Sequence, residues 1–244
     1  MELSEVLESR VFVKEGAGSV YNPPSFYIKP FLDMASKFTE DFVVKTDHQV
    51  VNANDDKTKN VAYGRVLIEA VLPAKFDIVE HKTVVGLVYA LDVQQPIIKV
   101  YAGRNAHACT NLAIFDAEDV FEAKLLGNMA GAYKKAGEMF DTIEQKADAF
   151  AKHVERLKAK EYDELALNEK LGYIIRKSIK SRIGITPVSF AVRELEDSKS
   201  VYAIKNNKTT AWNVMSAMTQ FLTDKGDIVD KADRTLLISR LFEN

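Results

Sequence analysis

The single cysteine of the chain, Cys109, stands two residues after His107, one of four histidines, inside the run Arg104-Asn105-Ala106-His107-Ala108-Cys109-Thr110-Asn111. A thiol nucleophile needs a base within hydrogen-bond reach and a third group that orients the base. In a strand His107 and Cys109 would share a face, with Cα atoms about 7 Å apart. The flanking Ala108 and Thr110 supply neither a Gly-rich elbow nor the signature of a cysteine protease. Free cysteine is among the most buried residue types, so packing is the role expected of Cys109, and His107 loses its catalytic role with it. What keeps interest in this run is Arg104, expected at the exposed end of a strand, and Asn111, whose side chain suits the cap of a following helix.

Other catalytic and metal chemistries find no support in spacing. His48, His81, His107 and His153 show none of the H-x-H, H-E-x-x-H or H-x₃-H patterns that place two imidazoles on one ion. Gly16-Ala17-Gly18 lacks the Lys-Ser/Thr of a phosphate loop and the strand-turn-helix setting of a dinucleotide fingerprint. The pairs Glu118-Asp119 and Asp55-Asp56 read as a helix start and a solvated loop, with nothing to mark them as acid and base. The expectation is a protein without enzymatic activity, cofactor or metal.

Polyanion binding has more behind it. Arg176, Lys177, Lys180 and Arg182 form a basic face with Tyr173 one turn before Lys177. Lys29 with Phe26, Tyr27 and Phe31, and Lys99 with Tyr101 and Arg104, are further groups in which a cation could follow a strand's phosphates while a ring stacks its bases. In this reading Arg104, Arg176, Lys177, Lys180 and Arg182 neutralise phosphates, and Tyr101, Tyr173 and Trp212 stack bases or wall the groove. The plainer alternative for any one cluster is a solvated helix face.

The bulk properties bound these choices. A chain of 244 residues, 47% hydrophobic and 28% charged, matches an ordinary globular protein long enough to bury a sizeable core. A net charge of −2 and a pI near 6.1 argue against a protein that coats nucleic acid or anionic membrane through gross positive charge, though not against a local basic groove. One cysteine forbids an internal disulfide and points to a reducing cytoplasm. The start Met1-Glu2-Leu3-Ser4-Glu5 is acidic and not a secretory signal, and no apolar run approaches the ~20 residues of a membrane span, so no membrane is expected.

The elements follow from periodicity. Residues 1–25 look like a peripheral arm, broken at Gly16-Ala17-Gly18-Ser19 and Asn22-Pro23-Pro24, before a single domain over 26–244. A short helix is expected after Pro30, since Phe31, Met34, Ala35 and Phe38 fall at helical offsets. Strands are expected at 43–51, 61–72, 83–91 and 97–101, with the polar run Asn52–Asn60 as a hairpin loop and Gln94-Gln95-Pro96 as a turn. The run at 83–91 is nearly continuous in apolar residues, as in a strand buried on both faces.

Beyond the β-rich part (43–104) the period becomes helical over 116–244. Leu126, Met129, Tyr133, Ala136, Phe140, Ile143, Ala147, Phe150, Val154 and Leu157 are spaced 3,4,3,4,3,4,3,4,3, a heptad seam along about nine turns that is expected to lie on its own domain's core. A second helix over Asp163–Ile183 buries Leu167, Leu171, Ile174, Ile175 and Ile179, and Thr186-Pro187 breaks it. Val188 to Leu195 is extended or helical. A third helix starts at Thr210, whose hydroxyl can cap it, and ends at Gly226; a fourth runs from Asp230 to about Phe242. The fold class is therefore α+β: an antiparallel-type sheet from the N-terminal half, packed by a long helix and a C-terminal helical region.

Arg104 with Cys109-Thr110-Asn111, then the Ala-rich Glu122–Lys160, the segment Thr210-Ala211-Trp212-Asn213-Val214-Met215-Ser216-Ala217-Met218-Thr219-Gln220-Phe221, and the ending Arg240-Leu241-Phe242 follow one another along the chain. In this order they resemble the phage- and plasmid-type proteins of the domain of unknown function 932 family. Ser216 stands where the family usually has Asn. The resemblance, over about residues 60–244, implies a mobile-element accessory protein, and strands followed by a long helix is also the order of the annealing core in single-strand annealing proteins. The expected function is a phage- or plasmid-encoded, non-catalytic single-stranded DNA-binding or annealing accessory, acting as a homo-oligomer in the host cytoplasm. The alternative is a phage structural protein, or an inhibitor that binds a host factor, without nucleic acid as partner.

Overall fold

The computed structural model describes residues 3–8, 24–51, 61–77, 81–90, 96–106, 112–125, 127 and 129–243. The chain is α+β and divides into two compact units, one of Met1–Lys75, Thr83–Ala102 and Glu118–Thr142, the other of Phe76–Lys82, Gly103–Ala117 and Ile143–Asn244.

The first unit is built on an antiparallel sheet. β1 (Phe42–Val51) pairs with β2 (Val61–Val71), with Phe42 opposite Ala70 and Val51 opposite Val61. β2 pairs in turn with β3 (His81–Ala90), from Arg65 opposite Ala90 to Val71 opposite Val84, and β4 (Ile97–Ala106) follows. Two short strands join β4: β6 (Val120–Lys124) along Ile97–Tyr101 and, in residues that fall in the second unit, β5 (Leu112–Ala113) at Arg104 and Asn105. Every residue of β3 except Lys82 is buried, as its near-continuous apolar pattern implies.

Glu69 of β2 lies opposite Gly86 of β3, and the ring of Tyr101 covers that glycine so closely that a Cβ would collide with it. The Tyr101 hydroxyl donates to Glu69 Oε1 at 2.5 Å inside the core. Burial, then the Glu69 carboxylate, hold that phenol well above its ordinary pKa.

Helices cover this sheet. α1 (Leu3–Glu8) lies in the stretch expected as a peripheral arm and contacts α2 (Pro24–Ala35). Pro24 occupies the first turn of α2, where a missing N–H is harmless. The helix runs through Pro30 instead of starting after it. The hydrogen bond that Pro30 cannot make belongs to the carbonyl of Phe26, a residue 53% exposed, where water can replace it. Tyr27 stacks on Tyr89 of β3 at 5.3 Å and accepts at its carbonyl from the Tyr133 hydroxyl of α3 (Met129–Thr142), while Phe31 meets Phe140 of α3 at 5.9 Å.

The second unit is mainly helical: α4 (Ala147–Ala159), α5 (Glu164–Ile179), α6 (Thr186–Glu196), α7 (Ala211–Lys225) and α8 (Lys231–Arg240), with the two-residue ladder of β7 (Glu161–Tyr162) and β8 (Thr209–Thr210). α7 is its centre. Val214, Met215, Ala217 and Met218 are fully buried in one cluster with Ile174 of α5, Val188 and Ala191 of α6 and Ile238 of α8, each larger side chain contributing about 2 kcal/mol by burial. The Thr210 hydroxyl accepts from the Asn213 N–H and the Asp163 carboxylate from the Ala166 N–H, so both expected helix starts carry a side-chain cap. Thr186-Pro187 opens α6, which settles Val188–Leu195 as helical.

Three expectations need correction. The nine-turn helix is two helices, α3 and α4, separated by a turn at 143–146. There the Ala147 N–H bonds the Glu144 carbonyl, three residues back, and the carbonyl of Ile143 accepts from Arg104 Nη2 at 3.1 Å. An α-helical ladder would have joined Ala147 to Ile143. Glu118-Asp119 lie in a single 3-10 turn (Ala117–Asp119) that passes directly into strand β6, so no longer helix starts there, and the residue after Asn111 begins β5, which leaves no helix for Asn111 to cap. His107, Cys109, Asn111 itself, and the loops Asn52–Asn60 and Gln94-Gln95 lie outside the described residues.

Candidate nucleic-acid interface

Five of the eight residues singled out for nucleic-acid contact come together on the last turns of α5 and the loop after it. Arg176, Lys177, Lys180 and Arg182 are all exposed, and Tyr173 is half-buried one turn earlier. Helix geometry accounts for this: Ile174 and Ser178 take the buried side, leaving positions 176, 177 and 180 to solvent. Cations in the last turn also complement the helix dipole, worth about 0.3–1 kcal/mol each at an exposed site.

Two cations were missed from the sequence. Lys170 Nζ lies 5.0 Å and Lys177 Nζ 5.7 Å from the Tyr173 ring centre. Lys170 also donates to the Leu241 carbonyl at 2.6 Å, and burial, then the charge of Lys160, lower its pKa below the ordinary lysine value. Arg234 of α8 donates to the Ile183 carbonyl at 2.6 Å, which brings a further guanidinium to the loop that follows Arg182. Gly184, at φ +71°, lets that loop reverse into α6. From Lys170 to Arg193 the chain holds Lys170, Arg176, Lys177, Lys180, Arg182 and Arg193 and no acidic residue. The signal for Lys170 was its i,i+3 spacing to Tyr173; none marked Arg234, 51 residues from its partner.

This face is not purely polar. Ile179, expected in the core, is 66% exposed, and Ile185 is 48% exposed. Ile179 shares its helix face with Leu165 (71% exposed) and with Gly172, which has open space where a side chain would stand. The spacing 165, 172, 179 makes one apolar stripe along the solvent side of α5.

The other three singled-out residues are elsewhere. Tyr101 is fully buried in the first unit, its hydroxyl on Glu69, and its expected role at a surface is corrected. Lys99, its neighbour in the sequence reading, is likewise buried, 3.1 Å from Glu122. Arg104 is 4% exposed instead of capping an open strand end: besides the Ile143 carbonyl it faces the Phe150 ring at 4.8 Å. Trp212 is half-buried beside the same group, 5.1 Å edge-on from His81, itself 5.6 Å from Phe150. Arg104 and Trp212 are thus brought together as packing around Phe150, where an aromatic face and a carbonyl compensate the guanidinium. Of the Lys29 group, Tyr27 and Phe31 are buried, while Phe26 and Lys29 are exposed.

No protein-family model, curated protein or solved structure matches this chain. Among the described residues no group of three His, Cys, Asp or Glu is placed to hold a metal ion, and no helix is long and apolar enough to cross a membrane. His153 stacks on Phe115 at 4.0 Å, and burial, then Arg156, lower its pKa, which favours the neutral ring.

Proposed function

We propose that this protein is a phage- or plasmid-encoded, non-catalytic accessory that binds single-stranded DNA, acting as a homo-oligomer in the host cytoplasm, with the C-terminal end of α5 as its contact surface. The observation that carries the reading is the exposed group Arg176, Lys177, Lys180 and Arg182 beside Tyr173, inside a stretch with no acid between Lys170 and Arg193. Four cations can follow several phosphates of a flexible strand, and the half-buried Tyr173 ring beside them offers an aromatic surface to a base. The motif order that resembles the domain of unknown function 932 family supports the mobile-element origin.

The test is a mobility shift with a labelled oligonucleotide. A shift at ~50 mM salt that fades steeply by ~200 mM is expected, because each phosphate contact releases counterions. No shift at the lower salt removes the proposal. The exposed Ile179 and Ile185 favour a second reading, a surface for a host or phage protein. A monomer that fails to shift DNA but binds a purified partner through Ile179 would establish that reading instead.

A further inference from the structure

At the opposite end of α5, about 25 Å away along the helix, a cavity of about 270 Å³ opens between α5, α6 and the segment 204–209. Its floor is the β7–β8 ladder, in which Tyr162 stands directly opposite Thr209. Tyr162 is 6% and Thr209 3% exposed, and neither side-chain hydroxyl has a hydrogen-bond partner. A buried hydroxyl without a partner keeps its desolvation cost with nothing to offset it. Phe and Val would fill the same shapes without that cost, so two such hydroxyls in register beneath one cavity need a reason outside packing.

The rest of the cavity states what it would accept. Leu171 of α5, Val192 and Leu195 of α6, and Ile204 make its walls apolar. Asp163, Glu164 and Glu196 stand among its lining residues, which include no lysine or arginine. Lys208, the nearest lysine in sequence to the lining Asn207 and Thr209, bonds Glu161 at 2.9 Å, and Asp163 adds to the negative field at its ammonium. Asp163 commits one oxygen to the Ala166 N–H and retains the other. The hairpin wall is set by Asn206 and Asn207, both left-handed at φ +51° and +58°, between the mutually bonded Lys205 and Lys208. Consecutive left-handed residues form the tight turn whose twist suits a hairpin, and Asn tolerates them best after Gly.

We propose that this cavity binds a small organic amine with an apolar body and a hydroxyl at its far end. The ammonium sits among the carboxylates, the body lies along Leu171 and Leu195, and the hydroxyl exchanges hydrogen bonds with Tyr162 and Thr209. The site is separate from the cationic end of α5 and stands whether or not that end binds DNA.

Titration calorimetry of the full chain with four probes tests this: tyramine, phenethylamine, 4-ethylphenol and 3-(4-hydroxyphenyl)propionate. Tyramine should bind with 1:1 stoichiometry and exceed phenethylamine by about three- to tenfold, the worth of one hydrogen bond. The propionate, with the opposite charge, should not bind. Tyr162→Phe should shrink the preference for tyramine over phenethylamine. Reversal of the exposed pair Glu164→Lys and Glu196→Lys, which leaves the core untouched, should weaken tyramine at least about tenfold. Absence of saturable tyramine binding up to ~10 mM, equal binding of the propionate, or unchanged tyramine affinity in the charge-reversed variant would each overturn the proposal. Amide NMR shifts at Asn207 and Thr209 on saturation locate the ligand; shifts confined to other residues also overturn it.

Discussion

At its N-terminal end α5 starts on Asp163 and Glu164 beside a walled cavity; at its C-terminal end it presents Arg176, Lys177 and Lys180 on an open surface. Both charge sets agree with the helix dipole, so sign alone says only that the helix is well terminated. Shape separates them. The acidic end has depth, apolar walls and two buried hydroxyls in want of partners, which suits a compact ligand. The basic end spreads its cations along an exposed turn and loop, which suits an extended polyanion. Charge becomes informative about a ligand once the geometry around it is known.

The strongest way to break this comparison is to reverse the basic end. Arg176, Lys177, Lys180 and Arg182, all changed to Glu, should lower oligonucleotide affinity by about three orders of magnitude at ~50 mM salt and flatten the log–log salt dependence by about 3. Tyramine binding should not change. Equal DNA affinity in the reversed protein, read by fluorescence anisotropy, removes the C-terminal end from consideration.

Tyr173→Ala should weaken the same oligonucleotide about tenfold through loss of one stacked base, with little effect on the salt slope. A fall in slope instead would mean that the ring acts only by positioning Lys170 and Lys177.

Two substitutions at the acidic end sharpen the contrast through stability, measured by urea unfolding. Asp163→Ala removes a side-chain cap and should cost about 1 kcal/mol. Tyr162→Phe removes a hydroxyl that has no partner and should gain about 1 kcal/mol, an unusual sign for a buried position. Loss of stability in Tyr162→Phe would show that the hydroxyl is already satisfied in the free protein.

The smallest effect concerns Lys170, midway between the ends. Its folded pKa lies below the ordinary lysine value, so its stabilising contribution is present above the unfolded pKa and lost as pH falls through the folded one. As pH rises toward the ordinary lysine value, wild-type stability should therefore rise slightly relative to Lys170→Met. A flat difference would mean that its bond to the Leu241 carbonyl offsets the burial.

What the chain discloses about itself follows from range. The strand at β3, the cap at Thr210 and the basic turn of α5 rest on neighbours within a few residues, and periodicity reports such features well. The break between α3 and α4 was illegible because Ile143-Glu144-Gln145-Lys146 contains no Gly or Pro and keeps the heptad phase. The carbonyl freed there takes its hydrogen bond from a guanidinium 39 residues away. The burial of Tyr101 and Arg104 was illegible for the same reason: an arginine near a tyrosine looks like surface until its partners are known to be Ile143 and Phe150. The cavity was missed because β7 and β8 have two residues each, too few for alternation to show; Asn206-Asn207 was the one local hint.

The ring of Tyr101 over Gly86 has a bearing on how the chain can change through descent. Any side chain at position 86 requires the ring to leave, and loss of the ring takes a hydroxyl from buried Glu69. Three strands therefore hold one inherited unit, in which the first step of any exchange passes through a less fit intermediate. Drift in the sheet is expected to run around these three positions, and lineages that cross over should do so with all three altered together.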